Sequence, residues 1–306
     1  MLKTETGTRL ASPRFARFAW FVLAYNLAVI LWGAFVRASG SGAGCGNHWP
    51  LCGGQLSPAF ATLATVIEFL HRATSSIDGV LVIALAVWAF RAFPAGHPAR
   101  LGGVLTTVFI LTEGMIGAAL VLLDQVAKNP SVARGYWLSS HLINTLTLLA
   151  CLTLTAWWGS GRPAIRLRSP GMGTSAATLA AVMLLGVTGA IAALADTLFP
   201  AASLSAGLAQ DFAPGANIFL HLRGLHPVLA AGVGTWLFIF AAGARRVDPR
   251  TARIVIGFTV AQLAAGLLNM LLLAPIWLQM VHLLIADGLW ISLVWLCASK
   301  ATAAAR

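Results

Sequence analysis

Eight long, unbroken apolar stretches constrain this chain more than any other feature. They run approximately 16–37, 62–90, 102–124, 137–158, 174–196, 217–243, 254–273 and 278–298. A helix needs about 20 such residues to cross the hydrocarbon of a bilayer. None of the stretches has the short, alternating pattern of a barrel strand. Charged residues are only 9% of the 306, against roughly 25% in soluble domains, so a water-facing surface cannot be covered. A soluble or disordered chain is excluded on the same ground. The expected fold is an all-α integral membrane protein with eight transmembrane helices.

Basic residues then report topology. The N-terminus, the loops near 91–101, 159–173 and 244–253, and the C-terminus hold 15 of the 20 Lys and Arg residues. The opposite loops hold Arg37, Arg72, Lys128, Arg134 and Arg223. Both termini are therefore expected in the cytoplasm of a cell whose plasma membrane the chain spans. The start, Met1 to Arg17, has no small-residue cleavage site, so the first apolar run is expected to be retained as a helix. The net charge of +11 is dispersed over short loops, which argues against a nucleic-acid surface.

The halves echo each other. Phe69-Leu70-His71-Arg72 opens the second segment and Phe219-Leu220-His221-Leu222-Arg223 the sixth; Ser140-His141-Leu142 opens the fourth and Val281-His282-Leu283 the eighth. Two pseudo-symmetric four-helix bundles are expected, 16–158 and 174–298, joined by a cytoplasmic linker at 159–173. Intramembrane ionisable groups are expensive and usually functional. His71, His141, His221 and His282 fall at one depth, one per even-numbered segment, within roughly 10–15 Å of the outer surface at 1.5 Å per residue. Paired imidazoles on facing helices are a way to hold haem iron inside a bundle. A lone His would read as a packed core residue, and zinc is disfavoured because no carboxylate or Cys recurs beside the pairs. His226, 140° around the helix from His221 and before Pro227, is left out of the ligand set.

Glu68 and Asp78 share a helix face with His71, whereas the second half has Ile218 where Glu68 would fall. Glu68 beside one pocket suggests proton or cation handling there; the plainer reading is an i,i+4 pair with Arg72. Arg72 and Arg223 follow their histidines and suit haem propionates, with interfacial snorkelling as the alternative. Cys45 and Cys52 in the first outer loop can form a small-loop disulfide, either redox-active or a static staple. Cys151 and Cys297 read as small core residues.

The run Gly33-Ala34-Phe35-Val36-Arg37-Ala38-Ser39-Gly40-Ser41-Gly42, the loop from Cys45 through Trp49-Pro50-Leu51-Cys52, Glu68-Phe69-Leu70-His71-Arg72 and Asp196-Thr197-Leu198-Phe199-Pro200 resemble the haem A synthase family. The resemblance covers about 20 to 298. It implies an oxidoreductase that converts the C8 methyl of haem O to the formyl group of haem A for terminal oxidase biogenesis. It implies a substrate site in the first half at His71 and His141 with Glu68 as the acidic catalytic residue, and a haem b in the second half on His221 and His282. It implies for Cys45 and Cys52 a part in electron transfer or substrate delivery. Some members carry a second Cys pair between the fifth and sixth segments; 197–216 has none here. Expected partners are haem O as substrate, a haem O synthase, cytochrome oxidase assembly factors and membrane lipid, and a homo-oligomer is compatible with the sequence. Two other readings stay open on the histidines alone: a di-haem b electron-transfer protein, and a non-catalytic haem carrier or assembly factor.

Overall fold

A computed structural model describes residues 11–56, 58, 62–165, 169 and 171–303. The basic residues Lys3, Arg9, Arg166, Arg168 and Arg306, which entered the topology argument, lie outside the described residues. Among the described residues there are nine helices: α1 (Pro13–Ala38), α2 (Leu63–Ala92), α3 (Pro98–Leu122), α4 (Val132–Gly159), α5 (Met172–Leu198), α6 (Leu204–Asp211), α7 (Ile218–Ala244), α8 (Pro249–Leu271) and α9 (Ile276–Ala303). All but α6 are long and apolar enough to span a membrane. The eight expected segments are thus present, and the chain is a multi-pass membrane protein.

Local chemistry sets the helix ends. Proline occupies the first turn of α1, α3 and α8, where its missing N–H is not needed. Thr62, Ser131, Ser203 and Asn217 accept from backbone N–H groups of the first turns of α2, α4, α6 and α7. His97 does the same for α3, its Nδ1 accepting from the Ala99 N–H while its ring stacks on Phe93. Burial holds that ring below the ordinary imidazole range. The short α6 was not expected in the 197–216 loop; Ser203 caps it through the Ala206 N–H, and the following residues include good helix formers.

Asp248 does more than cap α8. It accepts from the Thr251 amide and hydroxyl at 3.0 and 2.8 Å and from the Ser299 hydroxyl of α9 at 2.9 Å. Burial raises its carboxyl, but these donors and nearby Arg162 outweigh it and hold the group below the usual carboxylate range. A depressed folded-state pKa stabilises the fold above the unfolded value and ceases to do so as pH falls through the folded one. The stability gap between the native chain and Asp248→Asn should therefore be full above pH about 4 and close below it. Thermal unfolding of both proteins across that range is the check, and a gap independent of pH would remove the ionised cap from the account.

Packing follows chain order. α1 lies on α2 and α4, α3 lies between α2 and α4, α5 packs on α7, and α8 packs on α7 and α9. The first set shares a core of Phe15, Val22, Leu85, Leu148, Leu152 and Trp157; the second is centred on Leu237, Val255, Leu293 and Leu296. The sets meet where α4 touches α5 and α9 and where α1 touches α9. Trp290 of α9 donates there to the Leu146 carbonyl of α4 at 2.7 Å. In lipid, close packing and bonds of this kind drive helix association. Outward Leu, Ile and Val on α2, α3, α7 and α8 remain uncovered, as lipid-facing residues should.

Candidate functional site

At the end of the bundle that carries the cysteine loop, the geometry separates the histidines into two pairs. His71 of α2 sits against Gly33 of α1, where an added Cβ would lie 2.8 Å from its Cε1. Only a residue without a side chain leaves room for that ring. His71 and His141 of α4 lie within charge-interaction range of each other, and Gly117 of α3 faces His141.

The second half repeats the arrangement with a different histidine from the one expected. His226 of α7 sits against Gly189 of α5, with 3.0 Å between an added Cβ and its Cε1, and His282 of α9 sits against Gly266 of α8. His226 and His282 lie within charge-interaction range of each other. His71 and His226 each fall eight residues beyond the first residue of their helices. His221 is engaged elsewhere, its Nδ1 2.7 Å from the Asp211 carbonyl at the end of α6. Helical phase counted from His221 points His226 away from the expected pocket; Gly189, which leaves room for the His226 ring, is the sequence signal that marks it instead.

Second partners differ between the rings. His226 Nδ1 is 2.9 Å from the Thr188 hydroxyl, and Gln262 Nε2 is 3.0 Å from His282 Nε2. His141 Nδ1 is 3.4 Å from Glu113 of α3. The Nδ1 atoms of His71, His141 and His282 are buried without a hydrogen-bond partner, the approach of His141 to Glu113 being a charge pair and not a hydrogen bond. Buried polar atoms ordinarily find partners, and the imidazoles set against glycines are the residues that would hold a haem in each half. Among the described residues no three His, Cys, Asp or Glu side chains converge on a metal position. The donor set therefore fits haem better than a protein-caged ion.

Glu68 belongs to the cysteine loop as much as to His71. It is 3% exposed; its Oε2 accepts from the Cys45 N–H at 2.8 Å and its Oε1 from Arg72 Nη2 at 2.6 Å. The i,i+4 pair with Arg72 therefore forms. Arg72 also donates to the His48 and Leu51 carbonyls, and Cys45 and Cys52 are joined in a disulfide. Gly44 lets this loop rest directly on α2, since a Cβ there would lie 2.4 Å from the Ala64 carbonyl carbon. Arg223 is committed to Asp196 and Asp211 and to the Phe199 and Gly207 carbonyls and Gln210. Arg37, at the end of α1, crosses to the second half, donating to Ala193 O, Thr197 Oγ1 and Gln279 Oε1.

Two acidic groups complete the first half. Asp78, 1% exposed, accepts from the Asn26 amide of α1 in a short contact. Glu113, which the sequence argument passed over, accepts from Asn144 and Thr145 of α4. It is the single charged residue in the 102–124 run apart from Asp124 at its end, and that isolation was the available clue. Asp287 of α9 is also buried, with Oδ2 unpartnered.

These features define a class: an eight-span membrane bundle with imidazoles paired across helices at one end. Comparison with known proteins is consistent with that class. The COX15-CtaA family, described as cytochrome oxidase assembly proteins, matches residues 16–64 and 59–294; the chain belongs to this family. It is 45% identical over 305 residues to a protein of Thermus thermophilus named protoheme IX farnesyltransferase, covering 97% of this chain and 49% of that relative. The chain thus spans about half the length of such relatives. It is 41% identical over 109 residues to the heme A synthase of Geobacillus kaustophilus, 35% of this chain and 34% of the relative. With the heme A synthase of Bacillus licheniformis it shares 41% over 124 residues, 40% of this chain and 41% of the relative. The family resemblance read from the cysteine loop and the Glu68–Arg72 helix is borne out.

Proposed function

We propose that this chain is a haem A synthase, oxidising the C8 methyl of haem O to a formyl group. The observation that carries the reading is the repeated pairing of imidazoles, one pair per half, in a chain of this family. In the proposal residues 16–158 form the substrate half and residues 174–298 the haem b half. His71 and His141 hold the substrate haem. His226 and His282 hold haem b, so His226 takes the role first given to His221. Bound haem b supplies one-electron transfer; the chain's own residues orient the macrocycles and keep water from them.

With water as the oxygen source, turning a methyl into a formyl group releases four protons and four electrons, so the reaction requires an external oxidant to which the electrons pass. The first half carries three acidic side chains that could take up protons, Glu68, Asp78 and Glu113, each held by its own partners. Glu68 is retained as the acidic residue of the site, and its bonds to Cys45 and Arg72 support a further part in holding the cysteine loop beside His71. Arg72 is the candidate for a propionate contact. Arg223 has protein acceptors for its whole fork and serves to clasp α6 to α7. The basic loops support an orientation with both termini in the cytoplasm of a plasma-membrane protein. The relatives twice this length, named for protohaem farnesyl transfer, support a working association with the enzyme that makes haem O.

The test is co-expression with a haem O synthase, followed by haem extraction, chromatography and mass spectrometry. Haem A should appear with the native chain and vanish with His71→Ala and with Glu68→Ala. Haem O left unconverted by a folded, haem-loaded chain would move the reading to a di-haem electron-transfer protein. Conversion unaffected by either substitution would remove the first half as the substrate site.

A further inference from the structure

The turn between α2 and α3 stands at the end of the bundle opposite the cysteine loop, one span away from the histidines. Between Asp78 and Glu113 the sequence has no acidic residue, while the turn carries Arg91, His97 and Arg100. A cleft of about 540 Å³ opens there, walled by Phe90, Leu101, Val104 and Ile165 and bordered by His97, Arg100 and Trp158. A second cleft of about 460 Å³ follows the seam of α2 and α3 past Arg91, Val87 and Val108, and shares Phe90 and Val104 with the first. Gly103 lets α3 close on α2, since an added Cβ would lie 2.9 Å from the Ala86 Cα. Small groups therefore floor the seam. The two clefts form one groove with a polar mouth and an apolar length.

The free polar side-chain groups at the mouth are all donors. His97 Nδ1 accepts from the Ala99 N–H, which leaves the ring proton on Nε2. Arg100 commits Nε and Nη2 to the Phe93 and Phe90 carbonyls at 2.7 and 2.8 Å and lies over the Phe90 ring. Its Nη1 has no acceptor among the described residues, and neither has the exposed Arg91. Trp158 is 7% exposed. Its indole Nε1, a donor only, is buried without a partner, although the adjacent Trp157 donates to the Pro163 carbonyl at 3.1 Å. Buried donors ordinarily find acceptors, and none of the described residues supplies one to Trp158.

We infer that this groove holds an anionic membrane phospholipid, with its phosphate at Arg91 and Arg100 and one acyl chain along the α2–α3 seam. Basic pockets between spanning helices take up acidic lipid headgroups. The phosphate and ester oxygens supply the acceptors that the His97 and Trp158 N–H groups lack. A zwitterionic lipid brings a cation back to the same donors and gains less. The chain suits the seam because Val87, Val104 and Val108 stand exposed along it; a soluble anion would leave them bare. Bound there, the lipid braces the ends of α2, α3 and α4 together. On the proposed orientation it comes from the cytoplasmic leaflet.

The experiment uses the full chain purified in a neutral detergent, with phosphatidylglycerol and phosphatidylcholine of identical chains as probes. Native mass spectrometry counts retained lipid, and thermal unfolding reads its effect. One phosphatidylglycerol should be retained in preference to phosphatidylcholine and should raise the unfolding temperature more. Arg91→Gln should weaken that preference about fivefold, the factor for one Arg at a membrane surface. Trp158→Phe, which removes the N–H and keeps an aromatic ring, should weaken it as well. Arg250→Gln, at another exposed Arg of the same end but outside the groove, should leave it unchanged. Equal retention of the two lipids by the native chain would overturn the inference without any variant. So would equal losses in Arg91→Gln and Arg250→Gln, the mark of diffuse surface attraction. Displacement of the lipid by glycerol phosphate, a headgroup without chains, would make the groove an anion site and remove the lipid. None of these readings uses haem A formation, so they stand or fall apart from the synthase reading.

Discussion

His226→Ala is expected to cost the purified chain one of two haems, whereas His221→Ala keeps both. The reason is geometric. His226 occupies, against Gly189 and near His282, the position that His71 occupies against Gly33 and near His141. His221 is turned to the Asp211 carbonyl outside the spanning helices. Removing an axial imidazole removes a bond to iron, while removing His221 loosens only the junction of α6 with α7. Pyridine haemochrome quantitation per mole of protein separates the cases, and His282→Ala should match His226→Ala. The reverse pattern, with haem lost in His221→Ala and kept in His226→Ala, would return the ligand role to His221.

Glu68→Ala should have the largest effect on stability of any substitution considered. It leaves the Arg72 guanidinium and the Cys45 N–H without their carboxylate at a site where Glu68 is 3% exposed. Breaking a buried ion pair by removing one partner costs about 3–5 kcal/mol. The loss should concentrate in the cysteine loop, which Arg72 also holds through the His48 and Leu51 carbonyls. Thermal unfolding in detergent, with limited proteolysis of the 45–52 loop, measures both parts. In a double-mutant cycle Glu68→Ala and Arg72→Ala should be strongly non-additive. A cost below about 1 kcal/mol, with additive singles, would mean that the pair behaves as an exposed one.

Much of the fold was legible because the bilayer imposes simple rules. A spanning segment must be long, apolar and helical, so eight helices could be counted from 306 residues. The end signals were harder to see: α4 begins at Val132 on the Ser131 cap, several residues before its continuously apolar part, because the capping run Ser131-Val132-Ala133-Arg134 contains a charge. Arg134 is accommodated by donating to the Ala127 and Asn129 carbonyls. The site was legible in part for a related reason. His71, His141 and His282 announced themselves as costly groups in an apolar run, and Glu68 by its place beside His71. His226 and Glu113 meet the same criterion of a costly group in an apolar run, but the helical phase set by His221 points His226 away from the expected pocket.

The sequence by itself determined the class of solvent this chain lives in, its eight spans, the candidate disulfide Cys45–Cys52 and a set of intramembrane ionisable residues. Those follow from composition and length, which act on each segment separately. Only the tertiary structure decided which histidines face one another, that Glu68 and Arg72 clasp the cysteine loop, and that Arg37 reaches from α1 to α5 and α9. Such facts depend on the rotation of each helix about its axis. A nearly all-apolar helix has no strongly polar face to reveal that rotation, so it is fixed by close packing against neighbours such as Gly33 and Gly189, and becomes visible only once the helices are assembled.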